Sequence, residues 1–108
     1  LNPAISAAAA AEMAGLSNIV EIRGNAGVYG REGIRVLAVS PGVIQSPRLA
    51  AVQAASSDGD DAAAAERIRS SNALGRLGTA AEVSAAVLFA VSDAAGFVNG
   101  GVIEVDGG

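Results

Sequence analysis

A short apolar run closed by Pro-Gly constrains this chain more than any other stretch. Ile34, Val36, Leu37 and Val39 lie between Gly33 and Ser40-Pro41-Gly42. The length, the β-branched residues and the punctuation predict a strand rather than a helix. Apolar residues on both parities predict cover on both faces, the habit of a parallel strand in an α/β sheet. Pro41 has no N–H for a ladder and Gly42 tolerates any φ, so pairing is expected to stop there. The carboxyl end of such a strand is where open α/β sheets bind ligands. A second run, Val102, Ile103 and Val105, reads as the last strand. Helical segments separate the two runs, which demands a crossover connection. Residues 34–39 and 102–105 are therefore expected to be neighbouring parallel strands, with Val36 and Val105 almost completely buried.

The segments around these runs read as helix. Residues 3–23 are Ala-rich, and alanine is the strongest helix former. Pro3 suits a first turn, Met13, Leu16, Ile19 and Val20 form a stripe, and Gly24 and Gly27 are expected to end the helix. Residues 29–33 make the turn into the strand. Residues 47–57 begin a short helix after Pro47, residues 56–61 form a polar acidic loop, and residues 62–71 are helical with Asp60 or Asp61 as N-cap. Thr79 caps the next helix, with Glu82 at capping-box spacing. Val83, Ala86, Val87 and Ala90 line one face of that helix, and residues 96–100 form a turn.

Residues 33–46, G-I-R-V-L-A-V-S-P-G-V-I-Q-S, resemble the late strand and cofactor loop of the short-chain dehydrogenase/reductase family. A second block agrees: Gly75-Arg76-Leu77-Gly78-Thr79, Glu82-Val83, Val87-Leu88-Phe89, Ser92-Asp93, and residues 101–108 ending in V-D-G-G. The blocks stand in the family's order and cover most of residues 30–108. The resemblance implies an α/β fold: the C-terminal portion of a Rossmann-like, doubly wound parallel sheet with flanking helices. Residues 1–108 then form one incomplete NAD(P)-binding domain. It also implies an ancestry in NAD- or NADP-dependent hydride transfer between alcohols and ketones. By the same resemblance Pro41, Gly42, Ile44 and Ser46 are cofactor-binding residues. Ile44 would offer backbone groups to the nicotinamide carboxamide, and Ser46 would contact the carboxamide or a phosphate.

The family's catalytic pair is a Tyr and a Lys four residues later. The Tyr passes a proton to or from the substrate oxygen, and the Lys lowers its pKa. A phenol near pKa ~10 needs such a neighbour to work at neutral pH. The matching positions here are Ala9 and Met13, or Ala11 and Gly15 if the match is made backwards from Tyr29. All seven basic residues are Arg and the only Tyr is Tyr29, in the turn before the strand. No residue is assigned as catalytic. Ser6 lies too close to any Tyr position to be the family's catalytic Ser. The family's glycine motif, G-x-x-x-G-x-G, is also absent. Residues 24–30 are glycine-rich, but they follow a helix and precede a strand, the reverse of a dinucleotide fingerprint. A rival match makes residues 19–22 a strand ending in Asn25-Ala26-Gly27, which requires an internal deletion; the helix is preferred. Leu37 stands where the family has Asn, and Leu needs only burial.

The remaining features narrow the partners. The 108 residues hold one domain at most, and the formal charge is −4. The arginines are scattered rather than clustered, which argues against nucleic acid. There is no Cys and no His, so thiolate and imidazole metal sites are excluded. Asp58-Gly59-Asp60-Asp61 lacks the alternating ligands of a Ca²⁺ loop, and no metal site is assigned. The longest uncharged run, residues 2–11, is too short to span a bilayer. A cytoplasmic setting without membrane contact is expected. Two parallel strands would leave one side of residues 34–39 without its usual neighbour. That side must pair with another chain or be covered by the N-terminal segment, or else the chain is partly molten. A homo-oligomer or a pairing with another chain is expected. The alternative to an enzyme chain is a non-catalytic oligomerisation piece or a degenerate, truncated product.

Overall fold

The protein is described by a computed structural model covering residues 7–11, 16–56 and 61–108. The expected N-cap at Asp60 and most of the residue 56–61 loop lie outside the described residues. The elements in order are β1 (Ala7–Ala11), α1 (Leu16–Tyr29), β2 (Arg35–Pro41), α2 (Pro47–Ser56), α3 (Asp61–Ser70), α4 (Ala80–Val91) and β3 (Val102–Val105). Helices flank a parallel sheet in the order β1-β2-β3, a partial Rossmann-like arrangement.

The expected pairing of the two apolar runs is present. β2 and β3 are parallel, with Ala38 opposite Val102 and Val39 opposite Ile103. The strand count needs correction, because Ala7–Ala11 is a strand and not the start of a long helix. It lies parallel to β2, with Ala7 opposite Arg35 and Ala11 opposite Val39. Alanine's preference for helix amounts to a few tenths of a kcal/mol over most residues. An unpaired strand edge leaves a whole row of backbone groups unmet. Tertiary pairing therefore overrides propensity here, and the N-terminal segment covers the edge of β2. The ladder also outruns its expected end, since Gly42 N–H donates to Val105 O at 2.9 Å. The N–H groups of even-numbered β2 residues point to β3, as Ala38 donates to Gly101 O at 3.0 Å. The side of Pro41 that lacks an N–H thus faces β1, beyond the last pair at Ala11 and Val39.

Residues 19–22 are helical, which removes the internal-deletion reading. Gly24 and Gly27 do not end the helix, which runs to Tyr29. Ala26 is buried, whereas Val20, placed on the stripe by sequence, is exposed. Tyr29 closes α1 and is itself partly exposed.

Leu37 and Val39 share one face of β2 by the period of two and are both 0% exposed. The helix over that face is α4. Arg35, on the same face, donates through Nη1 to Ala90 O at 2.8 Å and through Nη2 to Ser92 O at 3.3 Å. The last carbonyls of a helix lack intrahelical partners and carry partial negative charge, so a guanidinium meets both needs. Nη1 also reaches Val98 O at 3.4 Å, joining the connection into β3. Arg35 is thus a structural clamp rather than a solvated or phosphate-facing arginine. Val83, Ala86 and Val87 of α4 are half-buried and Ala90 is buried, as their spacing predicts.

Val36 and Val105 are half-buried rather than almost fully buried. Val36 lies on the opposite face of β2 from Leu37, where cover is partial. Val105 pairs with Pro41 at the carboxyl end of the sheet, where a cleft opens. Asn99 completes the packing at the other end. Its Oδ1 accepts from Val36 N–H at 2.9 Å and its Nδ2 donates to Ala26 O at 3.4 Å, tying β2 to α1.

The unequal burial sets an expected outcome. Leu37→Ala should cost about 2–5 kcal/mol in a urea titration, the range for deleting a fully buried large side chain. Val36→Ala should cost clearly less. Equal losses would contradict the unequal burial of the two side chains.

Candidate functional site

The residues expected to bind cofactor lie at the carboxyl end of β2. Pro41 is the last strand residue, and Gly42 follows with its N–H on Val105 O. A Cβ on Gly42 would stand 2.8 Å from both Cα and Cβ of Asp106. The first of those atoms is backbone, so only glycine lets the loop and the chain's last turn approach this closely.

Ile44 forms a single parallel bridge with Gly78. Gly78 N–H donates to Val43 O at 3.1 Å, and Gln45 N–H donates to Gly78 O at 2.8 Å. This pattern uses the groups on either side of Ile44 and leaves its own N–H and C=O without a partner among the described residues. An outward donor and acceptor on one residue match the complementary pair of a primary carboxamide. Ser46 is the N-cap of α2, its Oγ accepting from Leu49 N–H at 3.1 Å. Pro47 then occupies the first helical position, where its missing N–H costs nothing. The Ser46 oxygen is engaged, while its O–H has no acceptor among the described residues.

The loop from Asn72 to Thr79 braces this site. Asn72 Nδ2 donates to Arg76 O at 2.7 Å, and its Oδ1 accepts from Gly75 N–H at 3.0 Å. Arg76 grips Glu82 with Nη2 to Oε1 at 2.6 Å and Nη1 to Oε2 at 3.0 Å. Thr79 and Glu82 complete the expected capping box. The C-terminal turn packs against the same loop, with Ala73 N–H on Gly108 O at 3.0 Å and Leu74 N–H on Gly107 O at 3.1 Å. Gly107 has φ +73°, and a Cβ there would fall 2.7 Å from Asn72 Oδ1. The terminal glycines of V-D-G-G therefore answer a steric demand as well as a conformational one.

Three segments distant in sequence thus close a ring. Residues 42–45 hold residue 78, residues 73–74 hold residues 107–108, and residues 105–106 return to residue 42. The ring frames a cleft of about 170 Å³ lined by Val43, Ile44, Leu74, Glu104 and Val105 among others. Its charged lining is Arg76, Glu82, Glu104 and Asp106. Among the described residues the one cation there is already paired with Glu82, so this lining does not suit a phosphate. Sequence reasoning missed the braces at Arg35, which bonds to carbonyls remote in the chain, and at Asn72, whose hydrogen bonds are local but whose side chain packs against the distant Gly107. The asparagine in a short run ahead of Gly75 was the only signal for the second. No group of His, Cys, Asp or Glu among the described residues is arranged to hold a metal ion. Asp58, Gly59 and Asp60 lie outside the described residues.

The hydrogen bond from Arg76, with that from Thr79 N–H, lowers the Glu82 carboxyl to about 2. A carboxyl lowered on folding stabilises the fold above its unfolded pKa near ~4.3. That stabilisation fades as pH falls through the folded value. Stability should therefore decline between pH ~4.3 and about 2, and Arg76→Ala should move the Glu82 midpoint upward in an NMR titration. An unshifted midpoint would show that the pair does not form in solution.

A family model described as enoyl-(acyl carrier protein) reductase matches residues 4–108. Levodione reductase of Leifsonia aquatica is 38% identical over 86 residues, covering 80% of this chain and 32% of its own. Cis-4-hydroxycyclohexanecarboxylate dehydrogenase of Sinomonas cyclohexanicum is 39% identical over 103 residues, covering 95% of this chain and 37% of its own. The chain therefore spans about a third of the length of the curated relatives it matches. Among solved structures, levodione reductase superposes with TM-score 0.69 at 37% identity over 83% of this chain and 35% of its own. A 3-oxoacyl (acyl-carrier-protein) reductase from Agrobacterium tumefaciens C58, solved with NADP bound, gives TM-score 0.71 at 28% identity, with 85% and 34% covered. With the family model matched over nearly the whole length, the chain belongs to the short-chain dehydrogenase/reductase family.

Proposed function

We propose that this chain carries the nicotinamide end of an NAD(P)-dependent oxidoreductase site acting between alcohols and ketones. The observation that carries the reading is the unpartnered N–H and C=O of Ile44 at the carboxyl end of β2. When bound, a nicotinamide ring accepts or supplies a hydride. Ile44 would hold its carboxamide through both backbone groups, Ser46 would donate its O–H to a carboxamide or phosphate oxygen, and Pro41 and Gly42 would set the loop's close approach. Family membership supports the choice of cofactor, as do relatives solved with NADP and with NADH.

We further propose that the chain by itself does not turn over substrate. It has no Lys, and its one Tyr ends α1. Ala9 lies in β1 opposite Leu37 rather than on a helix, and Met13 lies outside the described residues. No short segment of the described chain supplies the family's pyrophosphate-gripping glycine motif.

A homo-oligomer is the proposed assembly. Leu88, Phe89, Val91 and Phe97 are exposed, Phe97 completely, and β3 is an edge strand. This also supports the alternative of a non-catalytic interaction chain. Contact with nucleic acid or membrane is not proposed. No helix among the described residues is long and apolar enough to cross a membrane, and the cytoplasm is the proposed setting.

Purified chain free of host reductases should oxidise neither NADH nor NADPH above background with any member of a ketone panel. Ala9→Tyr with Met13→Lys should not change that. Turnover by the unsubstituted chain would overturn the claim of inactivity. A titration with millimolar NADH should shift the amides of Ile44 and Gln45 selectively, and silence at both would overturn the cofactor assignment. Light scattering at a monomer mass across concentrations would remove the oligomer.

A further inference from the structure

We propose that Asn72 is a positioning residue for the Pro-Gly loop, acting through the ring of three segments and never on the cofactor itself. The assignment rests on the reading of residues 41–46 as a cofactor loop. The unpartnered groups of Ile44 are useful only if they point in one fixed direction, because a donor and acceptor must both meet a planar ligand group. Nothing within the loop's own sequence fixes them. Ile44 is held by one bridge to Gly78, and Gly42 by one hydrogen bond to Val105. Both anchors belong to segments that would move independently if they were not fastened to each other.

Asn72 sits where they meet: the Ala73 and Leu74 amides fasten the loop to Gly108 and Gly107, and the Asn72 side chain shapes the loop that carries those amides. Its Nδ2 donates to Arg76 O at 2.7 Å and to Ser71 Oγ at 3.1 Å. Its Oδ1 accepts from Gly75 N–H at 3.0 Å. These bonds shape the loop that presents Gly78 to Ile44. The same side chain lies flat against Gly107, whose missing Cβ would overlap its Oδ1 and Cγ at 2.7 and 2.9 Å. The adjoining residues Ala73 and Leu74 bond to Gly108 and Gly107. One amide side chain thus both shapes the loop leading to Gly78 and packs against the turn that follows Val105 and Asp106. Alanine could not do this, since it has no donor for Arg76 O. Aspartate would keep the acceptor for Gly75 and lose that donor.

Amide hydrogen exchange on the whole chain tests the assignment. Asn72→Ala should speed exchange at Gly42, Gln45 and Gly78 by roughly five- to tenfold, about what one ordinary hydrogen bond supplies, while Leu37 and Val39 exchange as before. Asn72→Asp should give the same pattern more weakly. Gly107→Ala, which pushes on Asn72 from the far side, should reproduce it. In Asn72→Ala the NADH-induced shift at Ile44 should also need several-fold more NADH. Acceleration confined to Gly75 would reduce Asn72 to a local turn residue and overturn the proposal. Uniform acceleration that includes Leu37 and Val39 would also overturn it, by making the effect one of global stability. Failure of the underlying cofactor reading appears elsewhere, as an Ile44 amide that ignores NADH in the unsubstituted chain.

Discussion

A parallel strand needs hydrogen-bond partners along both edges and cover on its faces, and β2 is the strand on which this chain meets that need. β3 pairs with one edge and β1 with the other. α4 covers the face that carries Leu37 and Val39, held there by the Arg35 fork on its terminal carbonyls. The neighbouring elements are placed by reference to β2. α1 returns the chain to its start, and α2 leaves from the loop at its end. The candidate site is simply where β2 runs out of partners. Its ladder ends at Gly42, and two residues on a donor and an acceptor stand open.

The contacts that hold the site come from outside it. Residues 42–45 are bonded to Gly78 and to Val105. Glycine at 42 and at 107 permits approaches that any side chain would block. The Arg76–Glu82 pair is exposed, and exposed pairs contribute little to stability. Its value here is geometric, since it fixes the loop carrying Gly78 against the first turn of α4.

Much of this was legible in the sequence where the signal is local. The bounds of β3, the Thr79–Glu82 box, the apolar face of α4 and the helical state of residues 19–22 all follow from spacing and capping. Val36 rather than Leu37 was expected to be almost fully buried, because the alternation of β2 does not say which of its faces is covered more deeply. The strand at Ala7–Ala11 was not legible, because five alanines carry a helical preference and nothing in them announces a neighbour. Gly24 and Gly27 misled in the opposite direction. Each disfavours a helix by about 1 kcal/mol relative to Ala, yet α1 continues through both. The Pro-Gly loop was identified through family resemblance. Its open backbone groups could be recognised only once Gly78 was seen beside Ile44.

The composition of β1 has a consequence for how the sheet is specified. Strand register is ordinarily set by side chains, since a slip of one residue sends the apolar set to the wrong face. In Ala7–Ala11 all five residues are alike. A slip past β2 therefore exchanges methyl for methyl along nearly the whole strand, and the side chains carry no information against it. The register of β2 against β3 is written in Val39, Ile103 and the Gly42–Val105 bond, whereas the uniform sequence of β1 does not distinguish one register from the next. One edge of this sheet is thus encoded and the other is merely filled.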